Sequence, residues 1–171
     1  FATDRDQVDF QILTYTPVPE DSFGTDNFYA LWISPPDTMT EDQIIPKDII
    51  FTADVSSSME GERLEQLKMA LHHFLEMLIP ADRFNIITFS TFVQSFKESF
   101  VYATEKNISE AKEYIDNLYA LGLTNIDGAI STSLQQPYRE KSLNNLIFLT
   151  DGEPTWGETN IDSIVEHSKL Y

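Results

Sequence analysis

Cysteine is absent from this sequence, which removes disulfides, thiolate zinc sites and thiol catalysis but leaves the compartment open. Long apolar runs are missing as well. None is long enough to span a bilayer, and no signal-peptide pattern opens the chain. Basic residues are scarce: Lys and Arg total 11 against 28 Asp and Glu, a net charge of −17 over 171 residues. Such a surface repels phosphate backbones and anionic lipid, so nucleic acid and direct membrane insertion are set aside. It attracts divalent cations and basic partners. Catalytic signatures are lacking too, with no phosphate-cradling GxxxxGK[ST] and no GxSxG elbow. No second aspartate stands two residues after Asp54, and no motif places a His or Lys as general base. Internal repeats and low-complexity tracts are likewise not found.

What is present suits one domain with a short appendage. Hydrophobic residues make up 42% of the chain, with 12 Phe and 7 Tyr, enough for an ordinary core. Residues 1–47 form a β-rich extension, the tail of a preceding domain or a bridge from it. Val8–Tyr15 roughly alternates and reads as a strand, and Phe28–Ile33 reads as a second, bounded by Gly24 and Pro35-Pro36. Asp37–Lys47 is polar and acidic and is expected to be a loop. The chain opens on Phe1 rather than Met, so it reads as a piece of something longer.

From residue 48 to 171 strands and helices alternate. The apolar run Ile49–Ala53 is a buried strand, and Leu64, Leu67, Leu71, Phe74, Leu75 and Leu78 recur at helical spacing until Pro80. Phe84–Phe89 is a strand whose partner, Phe92–Val101, follows so closely that the pair must be antiparallel. Asn107-Ile-Ser-Glu110 has the spacing of a capping box and is expected to open a helix. Another helix follows Thr124, with Ala129 and Leu134 inward, and stops at Pro137. Leu146–Leu149 reads as a parallel strand covered on both faces, and Asn160 as the cap of a last helix. The pattern predicts an α/β fold: a Rossmann-like, doubly wound, mostly parallel sheet with one antiparallel edge strand and helices on both faces.

In such sheets ligands bind beyond the carboxyl ends of the strands. Asp54 and Asp151 both stand at such ends. If their strands are neighbours, the two carboxylates meet. Asp54, Ser56 and Ser58 alternate, so extended backbone would aim all three to one side. Carboxylate and hydroxyl oxygens with no sulfur or imidazole nearby suit a hard cation such as Mg2+.

Asp54-Val-Ser-Ser-Ser58-Met, Leu123-Thr124-Asn125 and Leu149-Thr-Asp151-Gly152 resemble, in order and spacing, the metal-ion-dependent adhesion site of von Willebrand factor type A domains. Asp82–Ser90, Ala103-Thr104 and Asp151–Asn160 resemble the subgroup found in inter-alpha-trypsin inhibitor heavy chains and their bacterial relatives. The resemblance implies direct metal contacts from Ser56, Ser58 and Thr124, with Asp54 and Asp151 acting largely through waters and orienting the hydroxyls. It implies Mg2+ as the ion, with Mn2+ or Ca2+ as alternatives. The implied partner is a protein offering an Asp or Glu carboxylate, and the implied location is extracellular, cell-surface or periplasmic.

Two positions depart from the family. Ser57 and Leu123 stand where glycine is usual, and a positive φ at Ser57 would strain it. Type A domains also continue past the helix that ends near Tyr171, so the domain is expected to be C-terminally truncated. That leaves an edge beside the Leu146 strand open to pairing with another chain. Three functions follow: an adhesion or interaction module working through a divalent cation, a structural A domain without one, and a Mg2+-dependent hydrolase. The missing catalytic motifs rank the hydrolase last, and the expectation is a non-enzymatic protein. His72, His73 and His167 read as packing and surface residues, and Trp156 as a loop anchor.

Overall fold

The computed structural model of the protein describes residues 9–15, 28–34 and 45–171. The chain divides into two compact units, Phe1–Ile44 and Ile45–Tyr171. In the first, β1 (Asp9–Tyr15) and β2 (Phe28–Ser34) pair antiparallel, with Ile12 opposite Leu31. Leu13, Tyr29 and Trp32 on this ribbon are exposed. The expected loop at Asp37–Lys47 lies outside the described residues up to position 44.

The second unit is built around β3 (Lys47–Asp54), a β-branched and aromatic run that is buried from Asp48 onward. β4 (Arg83–Phe89) and β7 (Leu143–Leu149) flank it, both parallel, so Phe51 faces Ile86 on one side and Ile147 on the other. Helices cover both faces. On one, Phe51, Ala53, Phe84 and Ile86 pack against Leu64, Leu67, Leu71 and Leu75 of α1 (Glu62–Glu76) and against Ala111 and Ile115 of α2 (Glu105–Asp116). Each buried Leu, Ile or Phe side chain among these contributes about 1.5–3 kcal/mol of transfer free energy. On the other face, Ile50 and Ile87 pack with Phe100, and Thr52 meets Ser133 of α3 (Ile126–Leu134) through a 2.7 Å hydroxyl contact. The last helix, α4 (Ile161–Ser168), buries Ile164.

Three expectations need adjustment. The partner of β4 is not one strand but two short pieces on the same edge, β5 (Val93–Ser95) and β6 (Val101–Tyr102), both antiparallel to it. Buried Asn85 explains the break: its side chain accepts from Lys97 N–H at 3.1 Å and donates to Lys97 C=O at 2.9 Å. Those bonds stand in for the backbone ladder where the edge is interrupted between β5 and β6. Helix α2 starts ahead of the expected capping box, because Thr104 is the cap and its hydroxyl accepts from Asn107 N–H at 3.3 Å. Finally, β7 is only half-buried where both faces were expected to be covered. Among the described residues it pairs with β3 alone.

At the amino end of β3, opposite the predicted site, Asp48 is buried and receives Arg83 Nε at 3.0 Å, Arg139 Nε at 2.8 Å and Arg139 N–H at 2.7 Å. Burial alone would push this carboxyl up, but the hydrogen bonds from Arg83 and Arg139 outweigh it and hold it at about 2, below its usual 3.8. A depressed folded-state value contributes stability above the unfolded value that is lost as pH falls through the folded one. Asp48→Asn is therefore expected to cost about 2 kcal/mol at neutral pH. Urea unfolding should show its gap from the wild type closing between about pH 4 and pH 2.

Candidate functional site

The parallel pairing of β3 with β7 sets Ala53 opposite Leu149, so the residues that leave both strands start side by side. Asp54 is fully buried there. Its Oδ1 accepts from Ser56 N–H at 2.8 Å and its Oδ2 from the Thr150 hydroxyl at 2.6 Å. With both oxygens engaged, Asp54 holds the two loops in register. Ser56 keeps extended backbone, and the chain then turns into a short 3-10 segment, Ser57–Met59. That turn brings the Ser56 and Ser58 hydroxyl oxygens to 3.0 Å, and the Ser58 hydroxyl donates to Asp151 Oδ1 at 2.9 Å.

Four of the five predicted ligands, Asp54, Ser56, Ser58 and Asp151, thus form one bonded cluster at the carboxyl rim of the sheet. Thr124, the fifth, is buried and tied down by its backbone. Its N–H donates to the Thr155 hydroxyl at 2.9 Å, and its carbonyl accepts from Thr155 N–H at 3.0 Å and Trp156 N–H at 3.2 Å. Among the described residues its hydroxyl makes no hydrogen bond with the other four. His72 and His167 pair instead with Asp116 and Asp127. Trp156 is partly exposed and anchored through its backbone.

The two departures from the family resolve differently from expectation. Among the described residues no residue other than glycine has positive φ, so Ser57 is unstrained. It is also useful: its hydroxyl accepts from Gly122 N–H at 2.9 Å while its own N–H donates to Gly122 C=O at 3.0 Å. The left-handed turn falls on Gly122, at φ 93°, one residue ahead of Leu123. Leu123 needs no special backbone, and its N–H donates to the Thr91 hydroxyl at 2.9 Å.

Thr91, Thr150 and Thr155 were not singled out in the sequence, and Ser57 was marked only as standing where the family has glycine. Only Thr150, directly before Asp151, had a position that could have marked it. Arg63 was missed as well. Its guanidinium pairs with Asp151 Oδ2 and donates to Ser58 C=O at 3.1 Å.

The donor set fits a small hard cation. Among the described residues no group of three or more His or acidic side chains is gathered to hold an ion. The rim offers hydroxyl oxygens that can ligate directly, backed by carboxylates already committed to orienting them.

Residues 47–170 match the von Willebrand factor type A domain, and the chain belongs to that family. Within it, the similarity runs to heavy chains of the inter-alpha-trypsin inhibitor. The chain is 36% identical to heavy chain H4 of Homo sapiens over 151 residues, covering 84% of this chain and 16% of that protein. It is 32% identical to heavy chain H1 of Mesocricetus auratus over 155 residues, covering 86% and 16%. The chain therefore spans only about a sixth of the length of these relatives.

Solved structures share the fold. A von Willebrand factor type A protein from Catenulispora acidiphila superposes with a TM-score of 0.68 at 14% identity, over 98% of this chain and 38% of that one. The corresponding domain of the type V pili tip protein Mfa5 from Porphyromonas gingivalis gives 0.57 at 18%, over 64% and 39%.

Adding a Cβ at Gly122 would put it 2.7 Å from Thr91 Oγ1, on a backbone that L side chains rarely adopt. Gly122→Ala is expected to lower stability by about 1–3 kcal/mol, read as a fall in thermal midpoint. Gly61→Ala, also at positive φ but with open space around it, should cost less.

Proposed function

We propose that the protein is a non-enzymatic interaction module that binds a protein ligand through a divalent cation held at the rim. Ser56, Ser58 and Thr124 would hold the ion directly, with Asp54 and Asp151 behind them. Mg2+ is the favoured ion, with Mn2+ or Ca2+ as alternatives. The observation that carries this reading is the convergence of two hydroxyls and two carboxylates from adjacent strands into one cluster.

A bound cation would supply Lewis acidity toward an incoming anionic ligand. Neutral hydroxyls quench that acidity less than carboxylates would, so an Asp or Glu side chain of a partner is the natural occupant of an open position. The protein's part is to hold the hydroxyls in place and keep the buried Asp54 from wandering. It follows that the acidic surface does not exclude acidic partners, because the ion supplies the attraction at the one place where they dock.

Family membership supports a binding role over catalysis. Placement outside the cytoplasm, whether secreted, on a cell surface or in a periplasm, is part of the same proposal. Among the described residues no helix is long and apolar enough to cross a membrane. The competing reading, a purely structural A domain, draws on one observation: a guanidinium already sits on Asp151.

Titration calorimetry with Mg2+ and Mn2+ separates the two. Heat is expected from the wild type and its loss from Ser56→Ala and Asp151→Ala, with the folded state retained. Equal heats from the wild type and Asp151→Ala would overturn the proposal.

A further inference from the structure

Arg63 stands in the first turn of α1 and reaches back across the rim. It bridges both halves of the site, bonding the Ser58 carbonyl at 3.1 Å and the Asp151 oxygen that Ser58 leaves free. The burial of the pair is lopsided. Arg63 is 61% exposed and Asp151 only 16%. The guanidinium is well solvated and the Asp151 side chain is the more covered of the two, although Asp151 as a residue is exposed. Among the described residues no other basic side chain bonds to Asp54 or Asp151.

We propose that Arg63 is a built-in counter-ion that competes with a divalent cation for Asp151, so that the rim closes on Arg63 when no ion is bound and releases it when one binds. The inference rests on the cation reading above. Guanidinium cannot shed its charge near neutral pH, so it and a divalent ion repel when both face Asp151. Release is easy, because exposed ion pairs are weak and long side chains regain rotamer freedom. The pair itself lies in an open groove of ≈ 400 Å³, lined by Arg63, Gln66, Leu67, Phe148, Thr150 and Asp151, so the guanidinium can swing within it. Arg63 therefore tunes affinity rather than blocking the site. Its removal leaves Asp151 free for the ion.

The test is Mg2+ titration of the whole chain as wild type, Arg63→Gln, Arg63→Lys and Ser56→Ala, by calorimetry and by the rise in melting temperature with added ion. Arg63→Gln should bind roughly three- to tenfold more tightly and gain a larger rise, while Arg63→Lys, which keeps the charge, stays within about twofold of wild type. Arg63→Gln binding no better than wild type, with binding lost in Ser56→Ala, would sink the counter-ion role and leave the cation site standing. Wild type and Arg63→Gln both indistinguishable from Ser56→Ala would remove the cation reading and this inference with it.

Discussion

The site depends on the parallel ladder between β3 and β7, which sets Ala53 beside Leu149. Two stretches almost a hundred residues apart in sequence then leave the sheet together, and everything at the rim builds on that adjacency. The Thr150 hydroxyl reaches Asp54 and the Ser58 hydroxyl reaches Asp151, so each loop is bonded to an acid presented by the other. A ladder shifted by one residue would turn Asp54 and Thr150 to opposite faces and dissolve the cluster.

The rim loops are anchored in the core by Val55 and Met59 and are otherwise linked by hydrogen bonds. Val55 N–H donates to Phe89 C=O, Leu121 N–H to Val55 C=O, Asn125 N–H to Ser90 C=O, and Ser57 trades bonds with Gly122. Three loops, following β3, β4 and α2, are therefore stitched together directly. The Thr155 hydroxyl extends the network to the loop after β7. Hydroxyl side chains recur here because they can accept from a backbone N–H where no strand is available to do so.

Much of this was legible in the sequence, for identifiable reasons. Strand and helix periods placed β3, β4, β7 and the helices, since apolar runs and 3.6-residue spacing report burial directly. Chain order gave the strand ends, so Asp54 and Asp151 could be aimed at one crevice before their pairing was known. The interruption of the edge opposite Asn85 was not legible, because one buried amide replacing a ladder leaves the apolar pattern of β4 intact. Thr104 was passed over as a cap because the pattern three residues later imitates one. Ser57 was read as a substitute for glycine that a positive φ would strain, whereas the special backbone belongs to Gly122. Arg63 escaped notice since a lone arginine on an exposed helix turn carries no periodic signal.

The central strand has a consequence for how the site behaves in time. Both of its ends are pinned by fully buried acids, Asp48 below and Asp54 above, with five residues between them that are also buried. Such a strand belongs to the last portion of a domain to open, so its amides should be among the slowest to exchange with solvent. Donors attached there inherit that persistence. The entropy of gathering them is borne once, when the chain folds.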